Sequence, residues 1–245
     1  MLRMGSKIGN RVKNKKLIGI LSVIILCFMA MAMINVNNAI TTYKALEDKK
    51  TGEKVILIDA GHGGIDGGAS SKDGTPEKDI NLNIGILLGA NLKSMGYKVE
   101  YTRTEDVGLY TEGKSVREKK IEDLSNRAKL KKDTNCDVFV SIHLNTFPQS
   151  SCKGAQVWYS NCEGSKELGT IVQSTLKEKL DPNNNREAKA AGTQYKVLRE
   201  NDIIPGIIVE CGFLSNPEES EMLKTEDYQM KVANAISEAI SNYLK

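Results

Sequence analysis

Hydrophobic and polar positions follow two rhythms along this chain, and their succession predicts an α/β fold. Residues 55–58 form an unbroken apolar run, the signature of a strand buried on both faces. It ends in Asp59-Ala60-Gly61-His62 and a glycine-rich turn that reaches Gly68. Between residues 79 and 95 the apolar positions Ile80, Ile84, Leu87, Leu88, Leu92 and Met95 lie on one helical stripe, which Gly96 closes. A strand at 97–101 is followed by a charged insertion and a helix at 117–131, with Ile121, Leu124 and Ala128 facing inward. Strands at 137–142 and 155–159 precede a helix at 165–180, a polar surface loop at 181–192, and further strands at 195–198 and 206–210. The last helix, 229–244, carries Val232, Ala235, Ile236, Ala239, Ile240 and Tyr243 on one face. Strands alternating with helices predict a three-layer α/β sandwich around a mainly parallel sheet of about six strands, and none of the five prolines interrupts these helices.

The N-terminus follows different rules. Residues 17–36, LIGILSVIILCFMAMAMINV, carry no charge and are long enough to cross a bilayer as a helix. Arg3, Lys7, Arg11, Lys13, Lys15 and Lys16 precede them without an acid, a pattern that keeps the N-terminus inside and exports the remainder. Ala30-Met31-Ala32 satisfies the small-x-small rule of signal peptidases but lies within the apolar run, so residues 1–36 read as a signal peptide or a signal anchor. Ile25-Leu26 before Cys27 argues against a lipoprotein signal. A polar linker at 37–53 leads to a single domain at 54–245, since a chain of 245 residues that is 40% hydrophobic builds one sizeable core and shows no internal repeats. Six of the 34 Lys and Arg residues lie in the first sixteen positions, leaving 28 against 31 acids, a balance that excludes a nucleic-acid footprint. Cys152 and Cys162 bracket a predicted strand whose ten extended residues span roughly 33 Å, so free thiols are expected.

Candidate chemistry gathers at strand ends. The chain contains two histidines, His62 after the first strand and His143 after the run of strand-forming residues 138–142. Glu77 stands at or just before the start of the long amphipathic helix, where an acid also complements the helix dipole. Glu210 follows Ile207-Ile208-Val209, and a carboxylate in that setting is costly unless a cation meets it. Two histidines and one carboxylate form a ligand set that catalytic zinc uses, and a second carboxylate outside that set can act as base.

The stretches IDAGHGG, Glu77-Lys78-Asp79, TRTED at 102–106, SIHLN at 141–145 and VECGFLSN at 209–216 resemble, in this order, the motifs of zinc-dependent N-acetylmuramoyl-L-alanine amidases of the Amidase_3 type. The resemblance spans about residues 55–244 and is nearest to the CwlD-type sporulation amidases, in which a hydrophobic N-terminal segment leads to one catalytic domain. It implies Zn²⁺ held by His62, Glu77 and His143, with Glu210 as the base when water attacks the lactyl carbonyl of muramic acid in peptidoglycan. Asn145, Arg127 and Arg199 are candidate substrate-binding residues. Arg127, three positions after Leu124, has either a carboxylate partner or an anionic substrate group within its reach. The CwlD type further implies spore-cortex peptidoglycan, formation of muramic-δ-lactam with a cooperating deacetylase, and export to a membrane-anchored or secreted location such as the forespore intermembrane space. An accessory or activating protein is also expected, because a catalytic domain without wall-binding repeats has little means of localisation beyond its anchor. A non-catalytic peptidoglycan-binding scaffold and a zinc peptidase acting within the stem peptide are the alternatives.

Overall fold

Six strands form one sheet in the order β2-β1-β3-β6-β4-β5 in the computed structural model, which describes residues 29–36 and 52–245. The strands are β1 (Val55–Ala60), β2 (Lys98–Tyr101), β3 (Val138–Asn145), β4 (Gln156–Tyr159), β5 (Lys189–Ala190) and β6 (Gly206–Phe213). All neighbouring pairs run parallel except β4 with β6. The three-layer, mainly parallel architecture expected from the alternation is therefore the one observed.

Alternation along the strands explains both the core and the site. One sheet face presents Ile56 and Ile58 of β1, Val138, Val140 and Ile142 of β3, and Ile207 and Val209 of β6. This face is covered by α1 (Glu77–Ser94), α3 (Ser165–Leu180) and α6 (Glu226–Leu244), through Ile84, Leu88, Leu168, Val172, Val232 and Ile236. The other face starts apolar, with Val55, Leu57, Phe139 and Ile208 under α2 (Val116–Asp133) and α4 (Lys196–Arg199). Two residues further along the same strands it becomes polar, at Asp59, Ser141 and Glu210, with His143 beyond Ser141. Polar groups thus collect at the carboxyl ends of β1, β3 and β6, where open α/β sheets place their ligands.

Three sequence expectations are corrected, and one helix is added. Residues 195–198 are not a strand: both edges of β6 are taken by β3 and β4, and the segment instead turns as α4, burying Val197 and Leu198 in succession. The inner face of α2 is not apolar, since Ile121 and Leu124 are 49% and 38% exposed whereas Asp123, Arg127, Ala128 and Lys131 are buried. The helix also reaches over the polar end of its sheet face, where Asp59 lies, so it turns charge-pairing groups inward. The polar loop 181–192 contributes the two-residue strand β5 beside β4. An additional helix, α5 (Pro217–Leu223), starts from an Asn216 side chain that accepts from the backbone of Glu218 and Glu219, with Pro217 at the first helical position.

Residues 29–36 are helical and exposed. The basic block, the rest of the apolar run and most of the 37–53 linker lie outside the described residues. Among the described residues no helix is long and apolar enough to cross a membrane. Residues 53–245 make up one compact unit.

Candidate metal centre

Three separate elements bring His62, Glu77 and His143 together. His62 sits in the turn after β1 at a φ of 62°, Glu77 opens α1, and His143 lies near the end of β3. Their three potential ligand atoms all lie within 4.8 Å of one another. Nε2 of His62 is 3.3 Å from one Glu77 oxygen, and Nδ1 of His143 is 3.0 Å from the other. The backbone N–H groups of Ala69 and Leu144 donate to the same two oxygens at 2.9 Å each, and the Asn81 amide donates at 3.2 Å, so the carboxylate is fixed from three sides. The imidazole rings meet edge to face at 4.9 Å.

This convergence depends on missing side chains. A Cβ on Gly61 would stand 2.3 Å from Cε1 and Nε2 of His143. At Gly68, whose φ is +70°, it would stand 2.6 Å from Oε2 of Glu77 and 2.7 Å from Cδ2 of His62. The glycines of IDAGHGG and its following turn are therefore places where backbone passes against the cluster's own rings and carboxylate.

Electrostatics within the cluster favour charge. Burial opposes ionisation of Glu77, but the adjoining His143 and His62 outweigh it and hold the carboxyl well below its ordinary range. Burial likewise opposes protonation of His62, while Asp66 and Glu77 outweigh it and lift the imidazole to about 9. The site is built for positive charge between two imidazoles and a carboxylate, and a metal ion bound there would replace the proton. Glu210 stands opposite His143 in the β3–β6 register and is 8% exposed. Burial pushes its carboxyl up, with His143 opposing and Glu77 reinforcing the shift. Its Oε2 is buried with no hydrogen-bond partner among the described residues. An orphaned buried carboxylate oxygen costs stability unless a ligand completes it, and the two imidazoles and the Glu77 carboxylate beside this unpaired acid match the donor set of a catalytic divalent metal.

The remaining candidates divide. Asn145 closes β3 and pairs with Phe213 across a register shift, its side chain accepting from Thr146 N–H at 2.8 Å. Arg199 is exposed on α4 and donates to the Thr193 carbonyl at 2.7 Å. Its neighbour Leu198 packs over Gly206 at the amino end of β6, four positions before Glu210, so Arg199 is not brought to the cluster. Arg127 is 1% exposed and uses all five of its N–H donors inside the protein: on Asp123 twice, on Asp59, and on the Ala60 and His62 carbonyls, at 2.6–3.3 Å. Of its two alternatives, a carboxylate partner or a substrate anion, the structure selects the carboxylate. Asp59 also accepts from Thr102 at 2.8 Å and Ser141 at 2.5 Å. Burial opposes its ionisation, and Arg127 together with the Ser141 and Thr102 hydroxyls and His143 outweighs that and lowers its pKa.

Removing the cation from this buried set leaves two carboxylates uncompensated. Arg127→Ala is expected to lower unfolding free energy by about 3–5 kcal/mol, and Arg127→Lys to recover only part of it, because an ammonium cannot reproduce the planar fork. Denaturant unfolding of the variants checks this, and a loss below about 1 kcal/mol for the alanine variant contradicts it. Arg103 acts alongside, donating to the carbonyls of Ala60, Gly61 and Lys78 at 2.8–3.0 Å. Sequence reasoning noted Asp59 and Arg103 without giving them a role. The position of Asp59 three residues before His62, and of Arg103 within TRTED, was the signal available.

Residues 56–242 match the Amidase_3 family, described as N-acetylmuramoyl-L-alanine amidase. The chain is 37% identical to the germination-specific N-acetylmuramoyl-L-alanine amidase of Bacillus subtilis over 192 residues, 78% of this chain and 79% of that protein. Among solved structures, the CwlD amidase from Clostridioides difficile, in complex with the GerS lipoprotein, is similar at 46% identity and a TM-score of 0.75, over 78% of this chain and 98% of that one. An N-acetylmuramoyl-L-alanine amidase from Clostridium difficile 630 is similar at 34% identity and a TM-score of 0.68, over 78% and 97%.

Proposed function

The chain belongs to the Amidase_3 family of N-acetylmuramoyl-L-alanine amidases, and from that premise we propose that it hydrolyses the amide between N-acetylmuramic acid and L-alanine in peptidoglycan with a zinc ion held by His62, Glu77 and His143. The observation that carries this reading is the meeting of three ligand atoms within 4.8 Å beside a buried, unpaired Glu210 oxygen. Zinc in such a set supplies Lewis acidity, polarising a carbonyl and making water acidic near neutral pH. Glu210 then accepts the proton of the attacking water and returns it to the L-alanine nitrogen as the C–N bond breaks. Burial raises its pKa, which strengthens the carboxylate as acceptor of that proton. Ala69, Leu144 and Asn81 fix the Glu77 carboxylate, while Arg103 and Arg127 hold the carbonyls of residues 60–62 so that the turn cannot relax away from β3. Asn145, two residues beyond His143, is the polar side chain proposed to meet substrate.

Similarity to a germination-specific amidase and to CwlD supports a spore role; we further propose action on spore-cortex peptidoglycan, with muramic-δ-lactam formed together with a cooperating deacetylase. The complex of CwlD with the GerS lipoprotein supports an accessory protein for this chain as well. Residues 1–36 serve in this reading as signal peptide or signal anchor and 37–53 as linker, placing the catalytic domain 54–245 outside the cytoplasmic membrane, in the forespore intermembrane space during sporulation.

Product analysis on purified muropeptides tests the activity. Release of peptides that begin with L-alanine, leaving intact glycan, is the expected result. Cleavage within the stem peptide would make the chain a peptidase. Substrate binding without cleavage by the zinc-loaded protein would make it a scaffold.

A further inference from the structure

We infer that Asp66 is a positioning residue for His62, fixing its ring so that Nε2 and not Nδ1 is offered to the metal, and that Lys120 anchors Asp66 from α2. This rests on the metal reading above and adds a carboxylate to which that reading gave no role. Nδ1 of His62 lies 3.0 Å from Oδ2 of Asp66, while Nε2 of the same ring faces Glu77. The arrangement comes from a closed turn rather than helical spacing: Gly63 and Asp66 exchange both backbone hydrogen bonds, at 2.9 and 3.1 Å, which folds the carboxylate back over the ring. The other Asp66 oxygen is 2.9 Å from Nζ of Lys120.

A neutral imidazole has two tautomers of similar energy, and only one leaves a lone pair on Nε2. A carboxylate that accepts Nδ1–H selects that tautomer and strengthens the ring as a donor. His143 is arranged the opposite way. Its Nδ1 faces Glu77, and its Nε2 lies over Gly61, where no carboxylate stands among the described contacts. The two histidines therefore differ in which nitrogen they present and in how that nitrogen is chosen. Helix α2 controls both aspects of His62, its backbone through Arg127 on the His62 carbonyl at 2.6 Å and its ring through Lys120 and Asp66.

The test uses the full chain, zinc itself, a competing chromophoric chelator, and ¹⁵N-labelled histidine rings, of which the sequence has two. Asp66→Ala is expected to weaken zinc binding by about 10- to 100-fold and to abolish the protected Nδ1–H signal of His62 in the zinc-loaded protein. Asp66→Asn keeps an acceptor oxygen and is expected to restore that signal and part of the affinity. Should the alanine variant fail to fold, Asp66→Asn decides alone: a retained His62 signal with weakened zinc binding supports the inference, and affinity equal to the unsubstituted chain overturns it. Wild-type affinity in Asp66→Ala overturns it too, as do equal losses in both variants with unchanged His62 ring signals, which would assign Asp66 to loop folding. An unsubstituted chain that takes up no zinc overturns the metal reading and this inference with it, a result that cannot be confused with a failure confined to the variants.

Discussion

Glu210→Gln is expected to reduce amide hydrolysis by about 10²- to 10⁴-fold while zinc content stays at the wild-type level. General acid–base catalysis is worth that much, roughly 3–5 kcal/mol of transition-state stabilisation. The substitution keeps the side chain's size, so β6 retains its pairing with His143 on β3 and Gln156 on β4. It also removes a carboxylate that burial disfavours and whose Oε2 has no partner, so folded stability should hold or rise. The other assignments for this residue give different signatures. A metal ligand would lose zinc together with turnover, and a structural acid would lower the unfolding midpoint first. Near-wild-type turnover by a folded, zinc-loaded Glu210→Gln protein would reject the base assignment.

Half of the site was legible because His143 and Glu210 follow runs of strand-forming residues. Val55–Ile58, Val138–Ile142 and Ile207–Val209 are buried strands, and the polar residue that follows each one has to lie at the sheet's carboxyl end. Pleat parity then decides which face each side chain takes, and it places Glu210 opposite His143. Parity cannot reveal side chains that arrive from turns. Asp66 reaches His62 through a four-residue closed turn, a tertiary consequence with no period to read. The same limit misplaced the inner face of α2. Apolar spacing pointed to Ile121 and Leu124, but the sheet below that helix ends in Asp59, and pairing of charge with Arg127 outweighed burial of two aliphatic side chains. At residues 195–198 local strand propensity lost to burial, because as α4 the segment sets the successive residues Val197 and Leu198 in one cluster, where a strand would turn them to opposite faces.

His62→Ala and His143→Ala are each expected to weaken zinc binding by about 10²- to 10³-fold, with loss of hydrolysis at zinc concentrations that saturate the unsubstituted chain. Structural zinc sites with four ligands gain about 10–16 kcal/mol in total, so one ligand is worth roughly 3–4 kcal/mol, more than an orienting partner contributes. The frame of the site should survive either change. Glu77 keeps its bonds from Ala69, Leu144 and Asn81, and the carbonyls of Ala60 and His62 remain held by Arg127. Excess zinc should therefore rescue part of the activity in the histidine variants and none of it in Glu210→Gln, which separates holding the metal from moving the proton. Chelator competition and metal analysis of the refined proteins measure the first quantity, and muropeptide turnover measures the second. Full zinc occupancy at wild-type affinity in both histidine variants would remove His62 and His143 from the ligand set.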